Sequence, residues 1–536
     1  MSFEALRKSA KRWLKSIKSG DATALARLRE LLPGASPTPG LREVQQALAR
    51  EHGHESWAAL KEHHETAALT SAESVREYLR CACLSYTNDD WPSKWRRAER
   101  LRERRPELAR ADIHTAAVSG ELERVRELLR TNPALASARG GSQHWPPLLF
   151  VCYGRVQNPA ALDVARLLLD TGADPNAHFA MDDCHFSALT GVIGQGELGQ
   201  PEHPQAEALA QLLLARGAKP DDAQALYNTH LEGDDPRWLE ILSRFGLDRG
   251  ARVNWLTRQA KPPKSFDYLL PQAAGRGHVR RLRWLLEHGA DPNARSTYTG
   301  KSCYQTALLG GETAIAALLL EHGARAEPLT GRDAFVAACA RNDDLEARRL
   351  LEGHPDYLQV HQPLIDAAQS GKLDYAALLL RLGMDPNGRG VHGHHALHVS
   401  CEQRAMSELL LQHGADPRSR CFGGSVTGWA LHARDLDSAR YHAERSRSLL
   451  DAAASGHVAL ARELLAADPA CVQERSPNGD TALHELPDEL DAAVEVVSLL
   501  LAHGADPQAR NQAGQTPAEK LEARGLPEHA DLIEAG

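Results

Sequence analysis

The sequence predicts an all-α solenoid, built of helix-turn-helix units with projecting turns and preceded by a small helical N-terminal region. Three observations carry this. The phrase "Leu-Leu, short spacer, Gly-Ala-Asp-Pro" recurs as LLLDTGADPNAH at 167–178, LLEHGADPNAR at 285–295, LLLQHGADPRSR at 409–420 and LLLAHGADPQAR at 499–510, with weaker copies at 212–221, 318–328 and 378–389. A second phrase opens the units, as in ADIHTAAVSGELERVRELL and LLDAAASGHVALARELL. Segments of alternating β-branched residues are absent, and aromatics make up only 5% of the chain, which suits small-residue helix packing.

Residues 1–70 form the predicted helical N-terminal region. Its first eighteen residues set Phe3, Leu6, Leu14 and Ile17 near helical spacing beside Arg7, Lys8, Lys11, Arg12, Lys15 and Lys18. Such a helix can lie on a membrane surface; docking onto the helices that follow is the expectation here. PGASPTPG at 33–40 reads as a linker. LREVQQALAREHGHESWAALKEH at 41–63 reads as a helix, a Gly break and a second helix entered at Ser56-Trp57.

Residues 71–536 form the predicted array of roughly eleven units. Gly289 to Gly323 spans 34 residues and Gly383 to Gly414 spans 31. Each letter has a physical task. A Thr or Ser at the unit start caps the first helix, and Pro is tolerated beside it because its missing N–H would be unpaired there anyway. Ala-Ala lets two helices approach closely. A mid-unit Gly (Gly120, Gly277, Gly311, Gly371, Gly456) turns the first helix into the second. The terminal Gly ends the second helix in a left-handed conformation, and Asp-Pro-Asn begins the projecting turn.

A period near 33, a TPLHxA-like start and a GADPN-like end resemble the ankyrin repeat. The resemblance implies a stack that binds other proteins, with a histidine in each unit bracing the adjoining turn. GHHALHVS at 393–400 aligns with the unit start, and His398 falls there with His114, His432 and His484. The N-terminal segment is similar to the leading part of a group of bacterial ankyrin-repeat proteins through Gln46, Ala49, Arg50, Glu51, Gly53, Ser56, Trp57, Leu60, Lys61 and His63. No biochemical activity comes with that similarity.

The array is irregular. Gly/Pro-rich residues interrupt it near 194–206, Pro262-Pro263 breaks the stretch 253–265, and 420–446 reads as a shortened unit or insertion. The last unit keeps Thr516-Pro517 but follows it with polar helices, as a capping repeat would.

Composition and motifs exclude several classes. A net charge of −9 over 536 residues implies no general affinity for nucleic acid. Nine cysteines with no CxxC pair signal neither a disulfide framework nor a zinc ribbon, and no apolar run is long enough for a membrane span. A cytoplasmic, bacterial protein without cofactors is the expectation. HELPD at 484–488 lacks the second histidine of HExxH; no phosphate loop or nucleophile elbow is present, so an enzyme is not expected. Two alternatives remain: a metal- or ligand-responsive sensor through the His-rich turn 392–398, and a nucleic-acid-associated adaptor through the basic run 94–110. A binding scaffold is the primary expectation, its partner another protein held by the concave face and turn tips. The candidate anchors at those tips are Trp145, Phe179, Met181, Tyr298, His392 and Phe422, large side chains of the kind enriched at binding hot spots, with Asp182 and Asp183 adding an acidic rim that would steer a basic partner.

Overall fold

The computed structural model describes residues 3–535 except 37–38, 56, 88–89, 91, 182–183, 197–198, 232, 248–249, 251, 253–262 and 525. Asp182 and Asp183, and most of the predicted Pro-rich interruption at 253–265, therefore lie outside the described residues. The chain divides into two compact units. One is made of residues 1–64 and 330–536, the other of 65–329, so the second is inserted into the sequence of the first.

In the inserted unit a helix pair (Ser71–Ala82, Pro92–Arg104) precedes the repeats. Thr70 and Glu73 cap its first helix reciprocally. The repeats follow from Ile113, each a pair of helices, as in Ile113–Ser119 with Leu122–Thr131 and Pro147–Tyr153 with Ala161–Asp170. A single apolar core runs through this unit, from Tyr78 and Leu79 to Leu318 and Leu319.

The other unit carries helix pairs from Gly331–Ala340 to Pro527–Ala535, and also the N-terminal helices Phe3–Lys18, Ala22–Leu31, Leu41–Glu51 and Trp57–Ala68. Leu6, Ala10, Trp13 and Leu14 of the first helix are buried. They share one core with Leu41, Val44, Leu48, Trp57 and Leu60, and with Leu464, Val496, Leu500, Leu521 and Ile533 from the far end of the chain. Charge complements this packing. Arg7 bonds Asp531 through both carboxylate oxygens at 2.7 and 2.6 Å, Lys11 meets Asp531 at 2.7 Å, and Lys61 meets Glu528 at 2.6 Å. Asp531 is 1% exposed, so these cations offset a buried carboxylate. The first helix thus docks on its neighbours as expected, and on the last repeats as well. The N-terminal motif residues have structural tasks: Gln46 donates to the Glu55 carbonyl (2.6 Å), Arg50 to the Leu31 carbonyl (3.1 Å), and Glu51 receives Arg27.

From Ile113 onward the described residues form thirteen helix pairs, more than the roughly eleven units expected. The pair Val426–His432 and Leu436–Ser446 stands where a shortened unit or insertion was expected. Its mid-unit turn is made by Arg434 at φ +63°, and that of Gly331–Ala340 by Asn342 at φ +57°, at the place that Gly120, Gly277, Gly311, Gly371 and Gly456 hold in their units. Without the glycine the boundary is hard to see in the sequence.

Candidate partner-binding surface

Projecting turns follow most helix pairs, and their bases are held by a repeated arginine. Arg139, Arg295, Arg389, Arg420, Arg475 and Arg510 each donate to a backbone carbonyl near the tip of their own turn, for example Arg295 to Gly300 (3.1 Å), Arg389 to Gly393 (3.2 Å) and Arg420 to Gly423 (3.1 Å). A guanidinium offers five donors, so one or two bonds of this kind stiffen the turn and leave the charge in place.

In the inserted unit the predicted anchors turn inward. Trp145 is 3% exposed. Its ring stacks on Phe179 with centroids 4.6 Å apart and contacts Phe150 and Tyr153 at 5.5 and 5.1 Å. Phe179 sits on an antiparallel hairpin, His178–Met181 against Cys184–Ser187, where it faces Phe186 across the strands (5.3 Å). Phe179 and Met181 are half-buried against the same core. The expectation that Trp145, Phe179 and Met181 present themselves to a partner is corrected here. The hairpin is long enough to lay one aromatic face over the preceding turn, and burying that face outweighs leaving it in water. Tyr298 remains 65% exposed, its hydroxyl 2.9 Å from that of Tyr268.

In the other unit, His392 and Phe422 are exposed, and they lie on two adjacent turns, 384–395 and 415–425. Between them they also show Val391, 74% exposed. Val391 is absent from the sequence-derived anchors because those are large side chains, chiefly aromatic; its signal is an aliphatic residue framed by Gly390 and Gly393. The turns are laced together. Arg389 reaches the Arg420 carbonyl (3.3 Å), Cys421 Sγ lies 3.6 Å from the Gly393 carbonyl, and the His394 and Phe422 ring centroids are 5.3 Å apart. Gln362 accepts the Val391 N–H at 2.8 Å, so the first turn is anchored to the helix beneath it.

Phe422 is the unusual residue. Arg420–Cys421 and Gly424–Ser425 pair as a minimal hairpin, so Phe422 and Gly423 are its two central residues. Both have positive φ, +50° and +83°. This is the turn that Asn-Gly favours, and a bulky side chain in the left-handed region is strained. Phe422 is also 72% exposed. Neither the local backbone nor the core benefits from phenylalanine at this position.

The histidines of 392–398 do not converge. His392 is exposed, His394 packs between Phe422 and Trp429, and His398 is fully buried beside His395 and Trp429. Among the described residues no group of three or more His, Cys, Asp or Glu side chains is placed to hold a metal. His114 and His484 brace the following turns, through Ala138 (2.8 Å) and Gln515 (3.1 Å). His398 occupies the corresponding place facing Gly424, yet makes no well-formed hydrogen bond through either nitrogen. Burial, reinforced by neighbouring His395, lowers its pKa to about 4. His432 is corrected: it is exposed at the end of Val426–His432, and Gly428 holds the bracing position after the Ser425 cap.

The basic run 94–110 is occupied by the fold. Lys94 is buried against Asp90 (2.5 Å), Arg97 pairs with Glu77, Arg102 and Arg105 donate to Gln157 and Leu69 carbonyls, and Arg110 pairs with Glu121. A shallow cavity of about 160 Å³ lies among Ala136, Arg139, Leu148, Asp174 and His178. That is below the roughly 300 Å³ at which small-molecule sites begin. No helix among the described residues is long and apolar enough to cross a membrane.

Comparison with known proteins agrees with the repeat geometry. The family model for "Ankyrin repeats (many copies)" matches residues 270–320, and that for "Ankyrin repeat" matches 478–512. The chain is 30% identical over 186 residues to the ankyrin repeat protein YahD of Escherichia coli (strain K12), covering 31% of this chain and 92% of that one. It is 36% identical over 119 residues to cyclin-dependent kinase 4 inhibitor B of Mus musculus, covering 22% of this chain and 70% of the relative. It spans only 30% of the human ankyrin repeat and MYND domain-containing protein 1, at 26% identity over 49% of this chain. Among solved structures, the ankyrin repeat domain of Bcl-3 aligns over 39% of this chain and 100% of its own, at 21% identity and a TM-score of 0.26.

Proposed function

This chain belongs to the ankyrin-repeat family, and on that footing we propose that it is a non-catalytic scaffold that holds a partner protein on its projecting turns. Ankyrin repeats are in general protein–protein interaction modules. One observation carries the finer reading: Phe422, strained at φ +50° and 72% exposed, stands beside exposed Val391 and His392 on a stiffened pair of turns. Strained residues that the fold does not need concentrate at functional positions. Phenylalanine is among the residues enriched at protein–protein interfaces relative to the rest of the surface. Tyr298 is a second, separate anchor on the inserted unit. The relative named as a kinase inhibitor is a precedent for function by binding.

The test is chemical crosslinking and affinity capture from the native cell extract with the intact chain, beside a variant in which Val391, His392 and Phe422 are alanine. Thermal unfolding first establishes that the two are equally folded. At least one protein should be captured by the intact chain and lost from the variant. Identical captures would refute the assignment to these turns.

A further inference from the structure

Two turns of the same repeat architecture treat their arginines differently. Arg295 donates to Glu327 at 2.6 and 2.9 Å, and Arg510 lies 3.3 Å from Glu519. Their charge is answered inside the fold. Among the described residues, Arg389, Arg418 and Arg420, on the turns that carry Val391 and Phe422, bond only neutral carbonyls. Arg389 holds Gly393 and Arg420 (3.2 and 3.3 Å), Arg420 holds Gly423 (3.1 Å), and Arg418 holds Ser446 and Arg447 (2.7 and 3.1 Å). The sequence holds no acidic residue from Asn387 to Cys401 or from Pro417 to Arg434. Asp385 and Asp416 stand at the turn bases, where each accepts a backbone N–H two residues on.

We infer that the turns 384–395 and 415–425 bind an acidic peptide segment of a partner protein, with its apolar side chain on Val391 and Phe422 and its carboxylates on Arg389, Arg418 and Arg420. Three features favour that chemistry. Each guanidinium is already fixed by a carbonyl, so little freedom remains to be lost when a carboxylate arrives. Each keeps unused N–H donors, and a charged acceptor makes the stronger hydrogen bond with them. The exposed apolar pair lies among these cations, so a segment with both characters satisfies both at once. Charge attraction also steers such a segment onto the turns.

This inference rests on the proposed binding role of the same turns, and the experiment separates the two. A random dodecapeptide phage library is selected on the full-length chain, then each enriched peptide is rebound to the F422N variant and to R389K/R420K. F422N removes the apolar anchor while supplying a residue the turn prefers, and a raised Tm shows that it folds. R389K/R420K keeps the charge but loses the fork that laces the turns. Enriched peptides should carry Asp and Glu above library frequency beside Phe, Leu, Ile or Trp. They should bind F422N at least tenfold more weakly, R389K/R420K only a few-fold more weakly, and all should weaken as salt rises from 50 to 300 mM. Peptides that are neutral or basic yet lost on F422N overturn the acidic partner while leaving the binding role intact. Peptides indifferent to F422N, or no enrichment at all, overturn both.

Discussion

Trp145 and Phe422 are both large aromatics on projecting turns, and the molecule treats them in opposite ways. Trp145 is 3% exposed under a hairpin whose four-residue strands place Phe179 and Phe186 in one stack. Phe422 is 72% exposed on a hairpin of two-residue strands, with the edge of His394 against its ring. What differs is the reach of the neighbouring turn. A strand of four residues spans about 13 Å and can fold an aromatic face over its neighbour, whereas the connection that follows the unit after Phe422, from Leu436–Ser446 to Leu449–Ala454, is Arg447 and Ser448 alone. A turn aromatic is therefore an anchor only where the next turn is too short to cover it.

The comparison breaks most directly at the two aromatics themselves. Trp145→Ala should lower the stability of the inserted unit by about 3–5 kcal/mol, the range for a large aromatic removed from a packed core, whereas Phe422→Ala should cost under about 0.5 kcal/mol, as for an exposed surface site. Denaturant unfolding, followed by amide exchange resolved to each unit, reads both. Similar losses at the two positions would erase the distinction.

Acid sharpens it next. His398 lies beneath the exposed turns, fully buried, with its pKa lowered to about 4 by burial and the nearby His395. Its folded-state pKa is below the unfolded value near 6.5, so its contribution is complete above pH 6.5 and is lost as pH falls through about 4. The loss amounts to roughly 3 kcal/mol at 1.36 kcal/mol per unit. Unfolding measured from pH 7 to 4 should show this decline in the intact chain and less of it in His398→Phe. An equal decline in both would assign the acid sensitivity elsewhere, for instance to buried His203 of the inserted unit, whose pKa burial lowers to about 3.

A double-mutant cycle between Trp145 and Phe179 should give a coupling of about 0.5–1.5 kcal/mol, the worth of an aromatic pair beyond its buried area. Additive losses would mean that the stack contributes area alone. The smallest effect has the opposite sign. Phe422→Asn should stabilise by up to about 1 kcal/mol, because asparagine tolerates the left-handed region that phenylalanine resists. A lower Tm for that variant would show that the ring supports the fold after all.

The repeat itself was plainly written in the sequence, since its glycines are required by backbone geometry. Gly172, Gly289, Gly383, Gly414 and Gly504 all end helices at positive φ. Where Asn342 or Arg434 makes the mid-unit turn instead, the unit boundary fades, and His432 is then assigned to a position that Gly428 occupies. The candidate anchors were legible only as positions on turns. Exposure depends on how far a neighbouring turn extends over them, which one strand's length decides and no single residue announces. The shared core of residues 6–60 with residues 443–533 is a contact between the two ends of the chain, and periodicity carries no information about it.

The most direct measurement is photocrosslinking in cells that make the protein, with p-benzoylphenylalanine in place of Phe422 and, as a control, in place of Leu345, which is 84% exposed near the start of helix Asp344–Glu352 in the same unit. A discrete protein adduct from position 422, absent from position 345, is the predicted result. Illumination that yields the same adducts from both positions, or none from 422, would contradict the assignment of these turns as the binding surface.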